Sequence, residues 1–194
     1  MPYQVEMPAP HIVAAAAETI LDGIEGDHEF PAFKTATLEY SGDRQCFTGF
    51  PVVSRWHLEN DAPALFEEAL RALALKAAVH ALTADERAAE IAIAVPVDEM
   101  THAMLAQAQL LNRIAEARGI SIIHQTDQEN TDYRAGGYTH ECYCLAWGEP
   151  PERFWLDHEE VERRRDMLAR MYASIGLDRS GREHQIDFAE PVAA

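Results

Sequence analysis

Residues 61 to 82 constrain this chain's fold more than any other segment. Opened by Asn60 or Asp61 as a cap, they predict a long helix with a main stripe of Phe66, Ala69, Leu70, Leu73 and Ala77. Leu65, Leu75 and Val79 lie off that stripe and spread apolar surface around the cylinder. A helix that is apolar on most sides cannot face water. It must be either the centre of the fold or half of an oligomer interface.

The segments around it predict a mixed architecture. Pro10 in a first turn and Gly26 as a stop bound a helix over residues 10 to 25, with Val13, Ala16, Ile20 and Ile24 on its buried side. Residues 35 to 40 and 45 to 54, rich in β-branched and aromatic side chains and separated by Ser41-Gly42-Asp43, predict a hairpin over 35–54. Thr83-Ala84-Asp85-Glu86 has the form of a capping box and predicts a short helix. Strands are expected near 91–97, 120–124 and 138–147, with a helix from Asp98 to Arg118 stopped by Gly119. Asp157 caps a last helix over residues 157 to 176, with a stripe of Val161, Leu168, Met171, Tyr172 and Ile175. The expected fold is α+β: a single domain over 1–176 with four to five helices packed on a small sheet, and a loosely docked tail over 177–194.

Charge decides which partners are excluded. Thirty-three Asp and Glu against sixteen Lys and Arg give a formal net charge of −17, which repels a phosphate backbone and an anionic lipid surface alike. Direct nucleic-acid binding is not expected. No run of about 20 apolar residues is available to span a membrane, and the N-terminus lacks the pattern of a signal peptide, so a cytoplasmic location is expected. Three cysteines, an odd number, agree with a reducing compartment.

The negative charge is concentrated at the start of the chain. Glu18, Asp22 and Glu25 fall opposite the apolar stripe of the first helix, Asp27 and Glu29 extend the run, and no basic residue precedes Lys34. These five carboxylates are the candidate surface for a partner of basic character, since complementary fields steer association. The Arg163-Arg164-Arg165 run, splayed around a helix, is expected to form ordinary ion pairs.

The stretch Tyr138-Thr139-His140-Glu141-Cys142-Tyr143-Cys144 carries the most suggestive chemistry. Read as a strand it projects His140, Cys142 and Cys144 to one face, with Cys46 or His124 available to complete a zinc set. Successive same-face positions on a strand are about 7 Å apart, too far for three ligands to converge on one ion, so no metal is expected. A nucleophilic Cys46, Cys142 or Cys144 would need positive surroundings that the chain is short of. No His-Glu-x-x-His pair, glycine-rich phosphate loop or Gly-x-Ser-x-Gly elbow occurs.

The reading that follows is a non-enzymatic, acidic protein-binding module, an inhibitor or nucleic-acid mimic acting on a basic partner, with no cofactor. A structural or assembly protein that forms a homo-oligomer through residues 61–82 is the second reading, and a zinc-dependent enzyme or zinc-stabilised module is the third.

Overall fold

The computed structural model describes residues 5–43, 52, 53, 55, 57–125 and 130–174. Among these, every regular element is a helix: α1 (Pro10–Glu25), α2 (Phe30–Asp43), α3 (Leu58–Thr83), α4 (Glu86–Ala89), α5 (Val95–Leu105), α6 (Ala108–Arg118), α7 (Tyr138–Trp147) and α8 (His158–Ser174). The expected α+β class is therefore corrected to all-α.

Helix α3 is the centre. From Glu68 through Val79 every residue except Arg71 is buried, and helices α1, α2, α4, α5 and α7 pack around it. Most of the apolar surface that could have served an oligomer is thus covered within the chain. Helix α1 lays Val13, Ala17, Leu21 and Ile24 on the core. The expected stripe is rotated slightly, leaving Ala16 and Ile20 half-buried at its edge.

Among the described residues the expected strands are absent for local reasons. Residues 35 to 43 belong to α2, where the Thr37 hydroxyl donates to the Phe33 carbonyl at 2.9 Å and the Ser41 hydroxyl to the Leu38 carbonyl at 2.9 Å. Both hydroxyls are thereby satisfied inside the core without a sheet. Most of the second half of the 35–54 hairpin lies outside the described residues, while Val52 and Val53 are buried and not in a strand. Residues 91 to 94 belong to no strand, and the Ile93 N–H donates to the Asn130 carbonyl at 2.9 Å. Pro96, within the strand expected near 91–97, sits in the first turn of α5, where its missing N–H leaves nothing unsatisfied. Residues 120 to 124 follow Gly119, the left-handed stop of α6 at φ +65°, and belong to no strand; the Ile120 N–H returns to the Ala115 carbonyl at 3.0 Å. Residues 138 to 147 are α7: Thr139, Cys142 and Tyr143 turn inward at helical spacing, with Gly137 before the first turn and Gly148 after the last.

Helix boundaries shift less. The single helix expected from Asp98 to Arg118 is two, α5 and α6, broken at Ala106 and Gln107. The cap of α4 is Asp85, whose carboxylate accepts the Ala88 N–H at 2.8 Å, rather than Thr83. The tail expected over 177–194, and Ile175, lie outside the described residues.

Helix α8 is attached differently from the rest. Its buried Val161, Leu168 and Tyr172 pack with Val52, Val95 and Leu156 in a small cluster separate from the main core. Arg164 adds a hydrogen bond to the Val52 carbonyl at 2.7 Å, and Glu160 is held down to a pKa of about 2 by Arg163 and then Arg164. A helix docked through so few apolar groups opens separately from the core. Leu168→Ala is expected to destabilise the docked helix by about 2 kcal/mol. Hydrogen exchange should accelerate over 158–174 while α3 amides keep their protection; equal acceleration in both would show that α8 belongs to the main cooperative unit.

Candidate functional site

The five carboxylates singled out at the N-terminus divide into two groups. Glu18, Asp22 and Glu25 are exposed along the outer side of α1. Asp27 is buried, accepting the Glu29 N–H at 2.9 Å and Arg118 Nε at 3.2 Å, and both contacts hold its carboxyl below the usual range. Glu29 makes a two-pronged pair with Arg113, at 2.8 Å to Nε and 2.7 Å to Nη2. These two acids fasten the α1–α2 turn to α6, leaving three to face outward. Glu67 of α3 lies close enough to Glu25 to act on it. Partial desolvation, then the like charges of Glu67 and Asp22, push the Glu25 carboxyl above its ordinary pKa.

The cysteine and histidine residues are redistributed because α7 is a helix. Residues 140 and 144 are one turn apart on one side, whereas Cys142 is carried round to the core and buried. There burial pushes its thiol up to about 11. Cys46 lies outside the described residues. His140 Nδ1 is 2.7 Å from the Tyr133 hydroxyl, and His140 Nε2 is 3.4 Å from Cys144 Sγ. Gly148, at φ +82° and ψ −166°, is in a conformation open only to glycine and turns the chain back at the end of α7. The following residue, Glu149, is thereby returned toward the same imidazole, 3.7 Å from Nε2. Ligand atoms of His140, Cys144 and Glu149 all lie within 4.8 Å of one another. The Cys144 thiol is raised by burial and then by Glu149, which makes it a poor nucleophile at neutral pH.

A second polar cluster was not foreseen. Lys76, fully buried on α3, pairs with Glu90 at 2.5 Å and reaches His124 Nδ1 at 3.1 Å. His124 Nε2 in turn lies 3.4 Å from the Thr101 hydroxyl and 3.7 Å from Asp98, and the Asp98 carboxylate is 3.7 Å from His102 Nε2. The only signal in the sequence was Lys76 itself, one of two lysines in the chain and set inside an otherwise apolar run. Its partners come from the segments that follow α4 and α6 and from α5, too far along the chain to be read as a motif.

Asp98, His102 and His124 also bring three ligand atoms within 4.8 Å of one another. Tautomer chemistry separates the two trios. An ammonium only donates, so Lys76 makes His124 Nδ1 an acceptor and places the imidazole proton on Nε2, the atom facing Asp98. That nitrogen is then not free to ligate. A phenol hydroxyl can accept as well as donate, so His140 can carry its proton on Nδ1, toward Tyr133, and keep Nε2 open.

Burial, then Lys76, then His102 lower the His124 pKa to about 3. The native imidazole stays neutral while the unfolded one titrates near 6.5. Between these values the unfolded chain binds the extra proton, so this contribution to stability is full above about pH 6.5 and lost as pH falls toward 3. The stability of the wild type minus that of His124→Asn should therefore rise with pH between 4 and 6, by about 1.4 kcal/mol per unit at most. A flat difference in denaturant titrations would mean that His124 protonates freely in the native state.

No helix among the described residues is long and apolar enough to cross a membrane. No family model, curated protein or solved structure matches the chain.

Proposed function

We propose that the chain is an acidic protein-binding module that engages a basic partner through the outer side of α1, as an inhibitor or nucleic-acid mimic in the cytoplasm. The observation that carries this reading is the cluster of acids around Glu25: three exposed carboxylates in line on one helix, with Glu67 close by, where partial burial and then the like charges of Glu67 and Asp22 outweigh Arg71 and Lys34 and raise the Glu25 carboxyl. Asp27 and Glu29 show how the same fold neutralises acids that it uses internally, with an arginine opposite each. Glu18 and Asp22 receive no such arginine among the described residues, and Glu67, although paired with Lys34, still raises Glu25. A cationic surface docking here would relieve that repulsion, and the net charge of −17 would speed its approach.

The assembly reading through residues 61–82 has less support, because α1, α2, α4, α5 and α7 cover most of the apolar surface of α3.

Replacing the three acids (Glu18→Gln, Asp22→Asn, Glu25→Gln) removes like charges one turn apart, so the variant should melt at the same temperature as the wild type or slightly higher. Used as bait in parallel at fixed ionic strength, the wild type should retain a basic protein that is released by salt and is absent from the triple variant. Retention of the same proteins by both baits, with the same salt dependence, would reduce the acidic side of α1 to a solvated surface.

A further inference from the structure

The side of α7 that carries His140 and Cys144 has no part in the acidic surface, and its chemistry points elsewhere. An imidazole, a thiol and a carboxylate belong to three different chemical classes, and zinc accepts all three. Around a tetrahedral Zn²⁺ with ordinary bond lengths, neighbouring ligand atoms stand about 3.5 Å apart. Here His140 Nε2 is 3.4 Å from Cys144 Sγ and 3.7 Å from the Glu149 carboxylate. Both distances from the imidazole are near the spacing that the ion requires, and the Cys144 and Glu149 ligand atoms lie within 4.8 Å of each other.

The surroundings favour a cation over a nucleophilic thiolate. Cys144 is in the last turn of α7, where the Gly148 N–H caps its carbonyl at 3.0 Å, and the end of a helix with exposed carbonyls is negative. Glu149 adds a full negative charge beside it. Both attract a divalent ion. Tyr133 is placed to supply the outer support that metal-bound histidines have: its hydroxyl, in a residue buried against Trp155, lies 2.7 Å from Nδ1 and can accept a hydrogen bond from it, which would leave Nε2 open toward the ion.

We propose that His140 Nε2, Cys144 Sγ and the Glu149 carboxylate bind one Zn²⁺, with Tyr133 orienting the histidine and the fourth position left to water. Binding displaces the Cys144 thiol proton to solvent as the sulfur–zinc bond forms. The Asp98, His102 and His124 trio does not compete, because Lys76 keeps a proton on the histidine nitrogen that faces Asp98.

Co²⁺ reports on such a site through its spectrum, since thiolate coordination gives a sulfur-to-metal charge-transfer band that carboxylates and imidazoles cannot. Titrating metal-stripped full-length protein with Co²⁺ should give one equivalent per chain with that band, bleached by one equivalent of Zn²⁺. Cys144→Ser should abolish the band, His140→Gln should do the same or weaken binding by at least 100-fold, and Tyr133→Phe should weaken it about 10- to 100-fold while leaving the helical circular dichroism unchanged. A measurement on the wild type alone guards against a variant that fails to fold: Zn²⁺ should protect Cys144, identified by peptide mass, from alkylation. The proposal is overturned by Co²⁺ binding that lacks the thiolate band, by a band that survives in Cys144→Ser, or by alkylation of Cys144 at the same rate with and without Zn²⁺.

Discussion

Two charges of opposite sign, Glu68 and Lys76, are buried two turns apart on the central helix α3, and the placement of the surrounding elements depends on satisfying them. Neither can be left alone, since an uncompensated ion in a core costs several kcal/mol. Glu68 is met by Arg71 at 2.7 Å, by the Tyr143 hydroxyl of α7 at 2.6 Å and by Trp155 Nε1 at 2.8 Å. Lys76 is met by Glu90 and His124. One charge therefore fixes α7 and the segment after it, and the other fixes the segments that follow α4 and α6. Apolar burial alone would hold these elements against α3 without choosing their register. The buried hydrogen bonds choose it.

This arrangement also explains how the two histidine clusters come to differ. Tyr143, anchored on Glu68, locks α7 from its buried side, and its ring packs edge-on to Trp147 and Trp155. His140 and Cys144 are left on the other side of the same helix, with Tyr133 wedged between His140 and Trp155. His124, in contrast, is carried inward by the segment after α6 until it meets Lys76. The first imidazole is supported from behind by a neutral hydroxyl and the second by an ammonium. That difference in the remote partner sets which nitrogen of each ring is free.

The sequence revealed elements whose signals are local and concealed those whose signals are tertiary. Pro10 and Gly26 bounded α1 correctly, and the apolar girth of residues 61–82 marked the central helix, because both signals depend on a single turn or a single cylinder. The β-branched and aromatic residues in 35–40 and 138–147 were read as strands because a short apolar run has no decisive period. In 138–147 the inward set Thr139, Cys142 and Tyr143 fits a helix as well as alternation fits a strand. The glycines at 137 and 148 were the better evidence, since they bracket one helix of ten residues. Pro96 was similarly ambiguous between the end of a strand and the first turn of a helix, and α5 forms with it in the first turn.

The error over residues 138–147 changed the chemistry as well as the fold. On a strand, His140, Cys142 and Cys144 share a face but stand too far apart to share an ion. On a helix, the face includes residues 140 and 144 and excludes 142, and a glycine turn can return Glu149 to complete the set. The residue types were legible from the start, but their convergence depends on a 3.6-residue period and on the backbone angle of one glycine. Side chains that converge through a short helix and its turn are therefore hard to recognise in a sequence when the segment also reads as β. The separation of about 7 Å between same-face positions belongs to a strand and does not apply to residues 140 and 144 on one turn of α7.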